Sequence, residues 1–173
     1  FDFSAIRTLL GAASLFLVLL VLRRPLVVVA VRQVALLGVL QTAAFTALIQ
    51  WALVAGGAGK TAVLVYTMPF WMIPMAWWWL GERVRGLQWV AIALAGSGLV
   101  LVLEPWAMGG SVFSNLLAVA GGVTWAAASI VAKRMRRDHD FDLLALTAWQ
   151  MLFGAVALCG VALLHPSRAI DPT

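Results

Sequence analysis

The chain has 173 residues, of which 64% are hydrophobic and only 11% are charged. A soluble domain carries roughly 25% charged residues, and a chain this short cannot bury so much apolar surface in water, because small domains have a large surface for their volume. The composition, with a mean hydropathy of +1.00, therefore excludes a soluble domain. It predicts a membrane protein whose surroundings are the lipid bilayer.

Six apolar segments are long enough to cross a bilayer, which requires about 20 residues in a helix. Stretches rich in glycine, proline and charge separate them, as is usual between helices. Pro69 and Pro74 stand inside the third segment, and Pro69 is expected to bend or open that helix. The sequence thus predicts an all-α polytopic membrane helix bundle with spans at roughly Ser4–Leu22, Gln33–Ala55, Thr61–Leu80, Leu87–Leu103, Asn115–Ala132 and Leu143–Leu164.

The basic residues of the loops divide unevenly between the two sides of this bundle. Two of them, Lys60 and Arg168, fall on one side. The other side holds nine, namely Arg23, Arg24, Arg32, Arg83, Arg85, Lys133, Arg134, Arg136 and Arg137. The positive-inside rule places the nine in the cytoplasm and both chain ends outside. Anchoring at lipid head groups accounts for the net charge of +5, so no nucleic-acid partner is expected.

Two stretches of the chain resemble each other at an offset of 143 residues. Ser4–Ala12 aligns with Thr147–Ala155, with four identical residues in nine. The two predicted helices run in opposite directions through the membrane, as an inverted-topology repeat requires. With five helices in each repeat, the first repeat begins before Phe1, and the chain is expected to be an internal piece of a longer protein.

Several motifs of the chain occur together in one known family. They are the run KTAVLVYTMPFW from Lys60 to Trp71, then Leu80-Gly81-Glu82-Arg83 with Gln88-Trp89-Val90, and Asn115-Leu116-Leu117 leading to Trp125-Ala126, Ser129 and Lys133-Arg134. Together they resemble EamA-type transporters of the drug/metabolite transporter superfamily. The resemblance implies ten helices in two inverted five-helix repeats with the N-terminus inside. Residues 1–106 would be the first repeat without its first helix, and residues 107–173 the first two helices of the second.

Polar side chains inside the apolar segments are candidates for contact with a substrate. Arg7 is the one charge within a span, and it is expected either to hold a substrate carboxylate or to extend to the outer interface. Thr42, Thr46 and Gln50 follow at four-residue spacing and so share one helix face. That face, with Gln41, is expected either to line a translocation path or to form hydrogen bonds between helices.

The aromatic part of the predicted cavity comes from the third and fifth segments, which the resemblance assigns to the cavity lining. Its members are Tyr66, Met68, Pro69, Trp71 and Trp125, with Trp149 and Gln150 of the sixth segment added to them. Tyr66 carries a hydroxyl that seeks a partner, and Trp71 offers a ring to planar or cationic substrates. These side chains are predicted to contact the substrate.

The cytoplasmic end of the third segment is predicted to lie in the membrane interface. Trp77, Trp78 and Trp79 end that segment and Trp89 follows across the loop, a pattern typical of an interfacial aromatic belt. Glu82 is interpreted as part of an ion pair with its neighbours Arg83 and Arg85, the alternative being a gate or coupling carboxylate. Small residues at four-residue spacing predict close helix packing, or else a homodimer face, at Ala91, Ala95, Ala118, Gly122 and Ala126.

The sequence favours a secondary transporter in which two inverted repeats alternate around a central cavity. The resemblance implies export of small metabolites, such as amino acids or related amphipathic compounds, across the bacterial inner membrane. No Asp or Glu lies in a predicted span, and His139 and His165 lie in loops, so neither an enzyme nor a metal site is predicted and no cofactor is implied. The alternative is a non-transporting membrane subunit or scaffold.

Overall fold

The computed structural model of the chain describes residues 2–56, 58–103 and 111–164. In these ranges the regular elements are all helices. Five helical stretches are long and apolar enough to cross a membrane, and a further apolar helix has 17 residues. At about 1.5 Å per residue that helix reaches roughly 25 Å, close to the thickness of the hydrocarbon core. The predicted all-α membrane bundle is confirmed.

The described residues form eight α-helices and one π-helical segment. The first, fourth and sixth predicted spans are single helices with bounds at or near the predicted ones, and the fifth is a longer single helix. The second and third spans are interrupted. The elements are α1 (Asp2–Val21), α2 (Val31–Leu37), the π-helical segment (Gly38–Ala44), α3 (Phe45–Gly56), α4 (Ala58–Val65), α5 (Met68–Leu80), α6 (Leu87–Leu103), α7 (Val112–Asp138) and α8 (Leu143–Leu164).

Helix α7 extends beyond the predicted fifth segment. The apolar stretch stops at Ala132, but the helix continues to Asp138. Its last turn carries Arg136 and Arg137, and positive charge is favourable there because the helix dipole is negative at its C-terminus. The loss of hydrophobicity therefore marks the membrane surface and not the end of the helix.

The third predicted segment consists of two helices, α4 and α5, with Tyr66 and Thr67 between them. Pro69 stands in the first turn of α5, where its missing N–H costs no intrahelical hydrogen bond. At the end of α4 the Leu64 carbonyl accepts both the backbone N–H of Thr67 at 3.1 Å and the Thr67 hydroxyl at 2.7 Å. The predicted opening of this helix is confirmed, and it lies just before Pro69.

The chain divides into two compact units. The first contains the described residues of 1–47 and 135–173, and the second those of 48–134. In the first unit, α1 and α8 pack antiparallel, since Ala5 lies in a buried cluster with Leu158 and Leu19 lies in another with Ala145 and Ala148. Small side chains at these contacts allow the two helices to approach closely.

In the second unit, α7 packs against α3 and against the break between α4 and α5. Ser114 is buried and donates its hydroxyl to the Ala52 carbonyl at 2.7 Å. A Cβ on Gly122 would lie 3.4 Å from both the Val65 carbonyl oxygen and the Thr67 hydroxyl oxygen. The close packing predicted for the small residues of α7 is thus confirmed for the buried set Ala118, Gly122 and Ala126.

Candidate functional site

Helix α8 crosses the π-helical segment at two glycines, Gly38 and Gly154. A Cβ on Gly154 would lie 2.7 Å from the Gly38 carbonyl oxygen and 2.8 Å from Thr42 Cγ2, closer than side chains tolerate. A Cβ on Gly38 would collide with the carbonyl oxygen of Gln150. The two backbones pass this closely because neither carries a side chain at the crossing.

A pair of amide side chains lies beside this crossing. Gln150 Nε2 donates to Gln41 Oε1 at 2.9 Å, and both side chains are half-buried. N–H donors on both amides and an acceptor oxygen on Gln150 remain for further bonds. The structure thus brings together two residues that the sequence proposed as substrate contacts, although they are 109 positions apart.

The π-helical geometry explains how this pair and Thr42 reach the same partner helix. Gln41 bonds to Gln150, and Thr42 lies against Gly154. Consecutive residues of an α-helix point about 100° apart and those of a wider π turn somewhat less, and here both Gln41 and Thr42 face α8. π-Helical turns are rare and occur frequently at functional sites. The predicted face of Thr42, Thr46 and Gln50 is correspondingly interrupted, because only Thr42 belongs to the π-helical segment.

The start of α8 is fixed by Asp142, which caps the helix. Its Oδ1 accepts the backbone N–H groups of Leu144 at 2.8 Å and Ala145 at 3.4 Å, as an N-cap carboxylate does. Its Oδ2 accepts a hydrogen bond from Arg24 at 3.2 Å. The chain after α1 is therefore tied to the first turn of α8.

Trp149 serves the packing of the first unit. Its indole N–H donates to the Leu26 carbonyl at 2.9 Å, and its ring meets Phe16 edge-to-face with centroids 5.3 Å apart. These contacts account for Trp149 without a substrate and hold α8, and hence Gln150, against the segment that follows α1.

Arg7 and Thr46 also belong to the first unit. Among the described residues, no hydrogen bond links either of them to Gln41 or Gln150. Arg7 is exposed on α1, beside the buried Thr8, whose hydroxyl donates to the Ser4 carbonyl at 2.7 Å. Thr46 is half-buried near the start of α3. Both remain predictions as substrate contacts.

Tyr66 and Pro69 line a cavity of about 570 Å³ in the second unit, between the α4–α5 break and α6. Its other walls are apolar side chains such as Phe70 and Ile73, opposite Ala91 and Ala95 of α6. The two alanines are exposed and form part of the cavity wall opposite α5. The hydroxyl of Tyr66 thus belongs to an otherwise apolar wall.

The remaining predicted residues of the second unit lie outside that cavity. Trp71 donates its indole N–H to the Thr67 hydroxyl at 3.2 Å, which links the first turn of α5 to the break. Met68, Gln50 and Trp125 are half-buried, and none of them lines the cavity of Tyr66. The aromatic set predicted as one group is therefore divided, with Tyr66 and Pro69 together and Trp71 bound to its own helix.

Three residues that contact or position the candidates were not predicted from the sequence. Gly38 and Gly154 create the close crossing, and Thr67 bonds both to the open end of α4 and to Trp71. Glycines in the middle of two long apolar segments were the available signal, since glycine in a membrane helix often marks a close contact. The partner of each glycine depends on tertiary packing and is not encoded in local spacing.

Known proteins resemble this chain over most of its length. The EamA-like transporter family matches residues 1–104 and 112–173. The uncharacterized transporter YoaV of Bacillus subtilis (strain 168) is 24% identical over 161 residues, covering 90% of this chain and 54% of that protein. A riboflavin transporter of Rhizobium johnstonii is 33% identical over 104 residues, covering 60% of this chain and 33% of that protein. A riboflavin transporter of Vibrio cholerae is 32% identical over 104 residues, covering 51% and 34%.

The chain spans about half the length of the first of these curated relatives and about a third of the other two. No solved structure matches it significantly. The relationship to these proteins therefore rests on sequence similarity.

Proposed function

Because this chain belongs to the EamA-like transporter family, we propose that the complete protein is a secondary transporter that exports small amphipathic metabolites across the bacterial inner membrane. Amino acids and related compounds are the proposed substrates, as the family resemblance implies. The names of two relatives add riboflavin to the compounds to be tested. The proposed mechanism is alternating access by two inverted repeats.

The observation that carries this proposal is the amide pair of Gln41 and Gln150 beside a π-helical segment. The pair offers N–H donors and a carbonyl acceptor at one place. Such a combination suits substrates that carry both kinds of group, including the carboxylate and ammonium of an amino acid. Polar groups on membrane helices are costly and often mark a substrate path.

A transport assay with matched variants tests the proposal. Full-length protein in proteoliposomes is assayed for uptake and efflux of amino acids and riboflavin, with and without a pH gradient. We expect movement of at least one compound, and Gln150→Leu or Gln41→Leu should slow it about tenfold, the equivalent of one lost buried hydrogen bond. If none of these compounds moves in either direction, the proposal that the protein exports them is wrong.

The double variant Gln41→Leu/Gln150→Leu separates a substrate contact from a structural one. Each single variant leaves one half-buried amide without its partner and should cost about 1–3 kcal/mol of stability, whereas replacing both partners is nearly neutral. We therefore expect the double variant to regain thermal stability and to remain transport-deficient. Recovery of transport together with stability would show that the pair only holds helices together.

A further inference from the structure

A cleft of about 600 Å³ lies in the second unit where α5 ends and α6 begins. Five of its six lining residues are apolar or aromatic, and one is charged. They are Ile73, Pro74, Trp77, Val84, Trp89 and Arg83. The cleft therefore combines a long apolar wall with a single cation. It shares only Ile73 with the cavity of Tyr66 and contains neither residue of the amide pair.

The cleft lies at the level of the membrane surface. Helix α5 ends at Leu80, and Gly81, with φ 67°, turns the chain into a six-residue connection to α6. Because both helices are apolar, this connection must emerge from the hydrocarbon. Trp77 and Trp89 are 60% and 61% exposed, and exposed tryptophans at a helix end are typical of the headgroup region.

The charge that a ligand meets in this cleft is that of Arg83. Its guanidinium has no ion-pair partner in the described part of the chain, and the side chain is exposed. The adjacent Glu82 does not cancel it, because the Glu82 carboxylate is paired with Lys133 Nζ at 2.5 Å, in an adjoining cleft that Arg83 also lines. An anion approaching the mouth of the cleft is therefore attracted.

We propose that this cleft is a binding site for an anionic phospholipid. The phosphate lies on the Arg83 guanidinium, and one acyl chain lies along Ile73, Pro74 and the rings of Trp77 and Trp89. Arginine suits this role because its planar fork binds phosphate oxygens in pairs. The apolar wall requires a ligand with a hydrocarbon chain, which a free phosphate lacks. Anionic headgroups are also drawn to basic segments next to membrane helices.

The test measures lipid retention by the full-length protein in neutral detergent, using native mass spectrometry with added dioleoylphosphatidylglycerol or dioleoylphosphatidylcholine. Arg83→Gln should weaken phosphatidylglycerol binding about tenfold, the effect of one charge-assisted contact. Arg85→Gln is the matched control, since it removes the same charge from the same connection but does not line the cleft. We expect it to change binding less than twofold. Both side chains are exposed, so folding is preserved.

Three outcomes overturn the proposal. Equal losses in Arg83→Gln and Arg85→Gln mean that diffuse surface charge, and not a site, attracts the lipid. Displacement of the bound lipid by millimolar inorganic phosphate means that the site takes a free anion. Equal binding of dihexanoyl- and dioleoylphosphatidylglycerol means that the apolar wall holds no acyl chain. Since transport is not the readout, failure here leaves the proposed transport function untouched.

Discussion

At the scale of single residues, the crossing of Gly38 and Gly154 determines where the amide pair can form. A methyl group at either position would force the backbones apart. Gln150 lies one turn from Gly154 on the same helix, so a wider crossing would also lengthen the 2.9 Å bond to Gln41. The two glycines therefore position the candidate substrate contacts Gln41 and Gln150.

Gly154→Ala should destabilise the full-length protein by about 1–3 kcal/mol, the usual cost of adding a methyl group to a packed contact. The expected result is a lower thermal midpoint in detergent, measured by the loss of monodisperse protein after heating. Transport should fall as well, because the amide pair is displaced.

Gly160→Ala is the control for this prediction. It lies on the same helix, and a Cβ there meets nothing within 4 Å. Alanine at this position should be neutral or raise stability by up to about 1 kcal/mol, because alanine has the higher helix propensity. A thermal midpoint unchanged in both variants would mean that the crossing is not tightly packed in the membrane.

Contacts between residues far apart in the chain could not be predicted from the sequence. Gln41 was predicted as a site residue with the polar face of the second segment, and Gln150 as an addition to the aromatic set. Their mutual bond could not be predicted, since it depends on a contact between positions 109 residues apart. Glu82 illustrates the same limit, because it pairs with Lys133 of α7 and not with its expected neighbours Arg83 and Arg85.

At the scale of elements, hydrophobicity predicted where helices cross the membrane but not their local geometry. The bounds of α6 and α8 agree with the predicted segments Leu87–Leu103 and Leu143–Leu164. The π-helical segment Gly38–Ala44 was not predicted, because a seven-residue change of pitch leaves the apolar composition unaltered. The segment meets α8 at the crossing of Gly38 and Gly154, a tertiary contact that local composition does not contain.

The N-terminus of α8 provides a prediction at this scale. Asp142→Ala removes both the helix cap and the partner of Arg24, and should cost about 0.5–2 kcal/mol, the range measured for lost caps. Asp142→Asn retains a capping oxygen and loses only the ion pair with the exposed Arg24, which is worth about 0–1 kcal/mol. Thermal unfolding of the two variants in detergent checks the order of stability.

High salt provides the control for the same prediction. Screening weakens exposed ion pairs and leaves the cap to the backbone N–H groups in place. The difference between wild type and Asp142→Asn should therefore shrink at 1 M salt, while that between Asp142→Asn and Asp142→Ala persists. Equal stability of the two variants at low salt would contradict a capping role.

At the scale of the whole molecule, the packing of α1 on α8 supports the proposed inverted repeat. The offset of 143 residues relates Ala5 to Ala148 and Leu15 to Leu158. Ala5 and Leu158 share one buried cluster, and Ala148 and Leu15 share another. An alanine of one helix thus lies with a leucine of the other at both ends of the α1–α8 contact. At one end the alanine belongs to α1, and at the other end it belongs to α8. This exchange is expected for two helices related by a two-fold axis in the membrane plane.

The repeat requires that successive connections lie on alternate sides of the membrane, and this gives the last prediction. Gly59 and Asp140 are both exposed, and the charge distribution places them on opposite sides, outside and inside respectively. In full-length protein with Cys159 and any other cysteine replaced, an impermeant maleimide applied to intact cells should label Gly59→Cys and not Asp140→Cys. Permeabilised cells should label both, which controls for reactivity. Labelling of Asp140→Cys alone in intact cells would mean that the orientation is the reverse of the predicted one. Labelling of both variants in intact cells would mean that the two connections lie on the same side, which contradicts the inverted repeat.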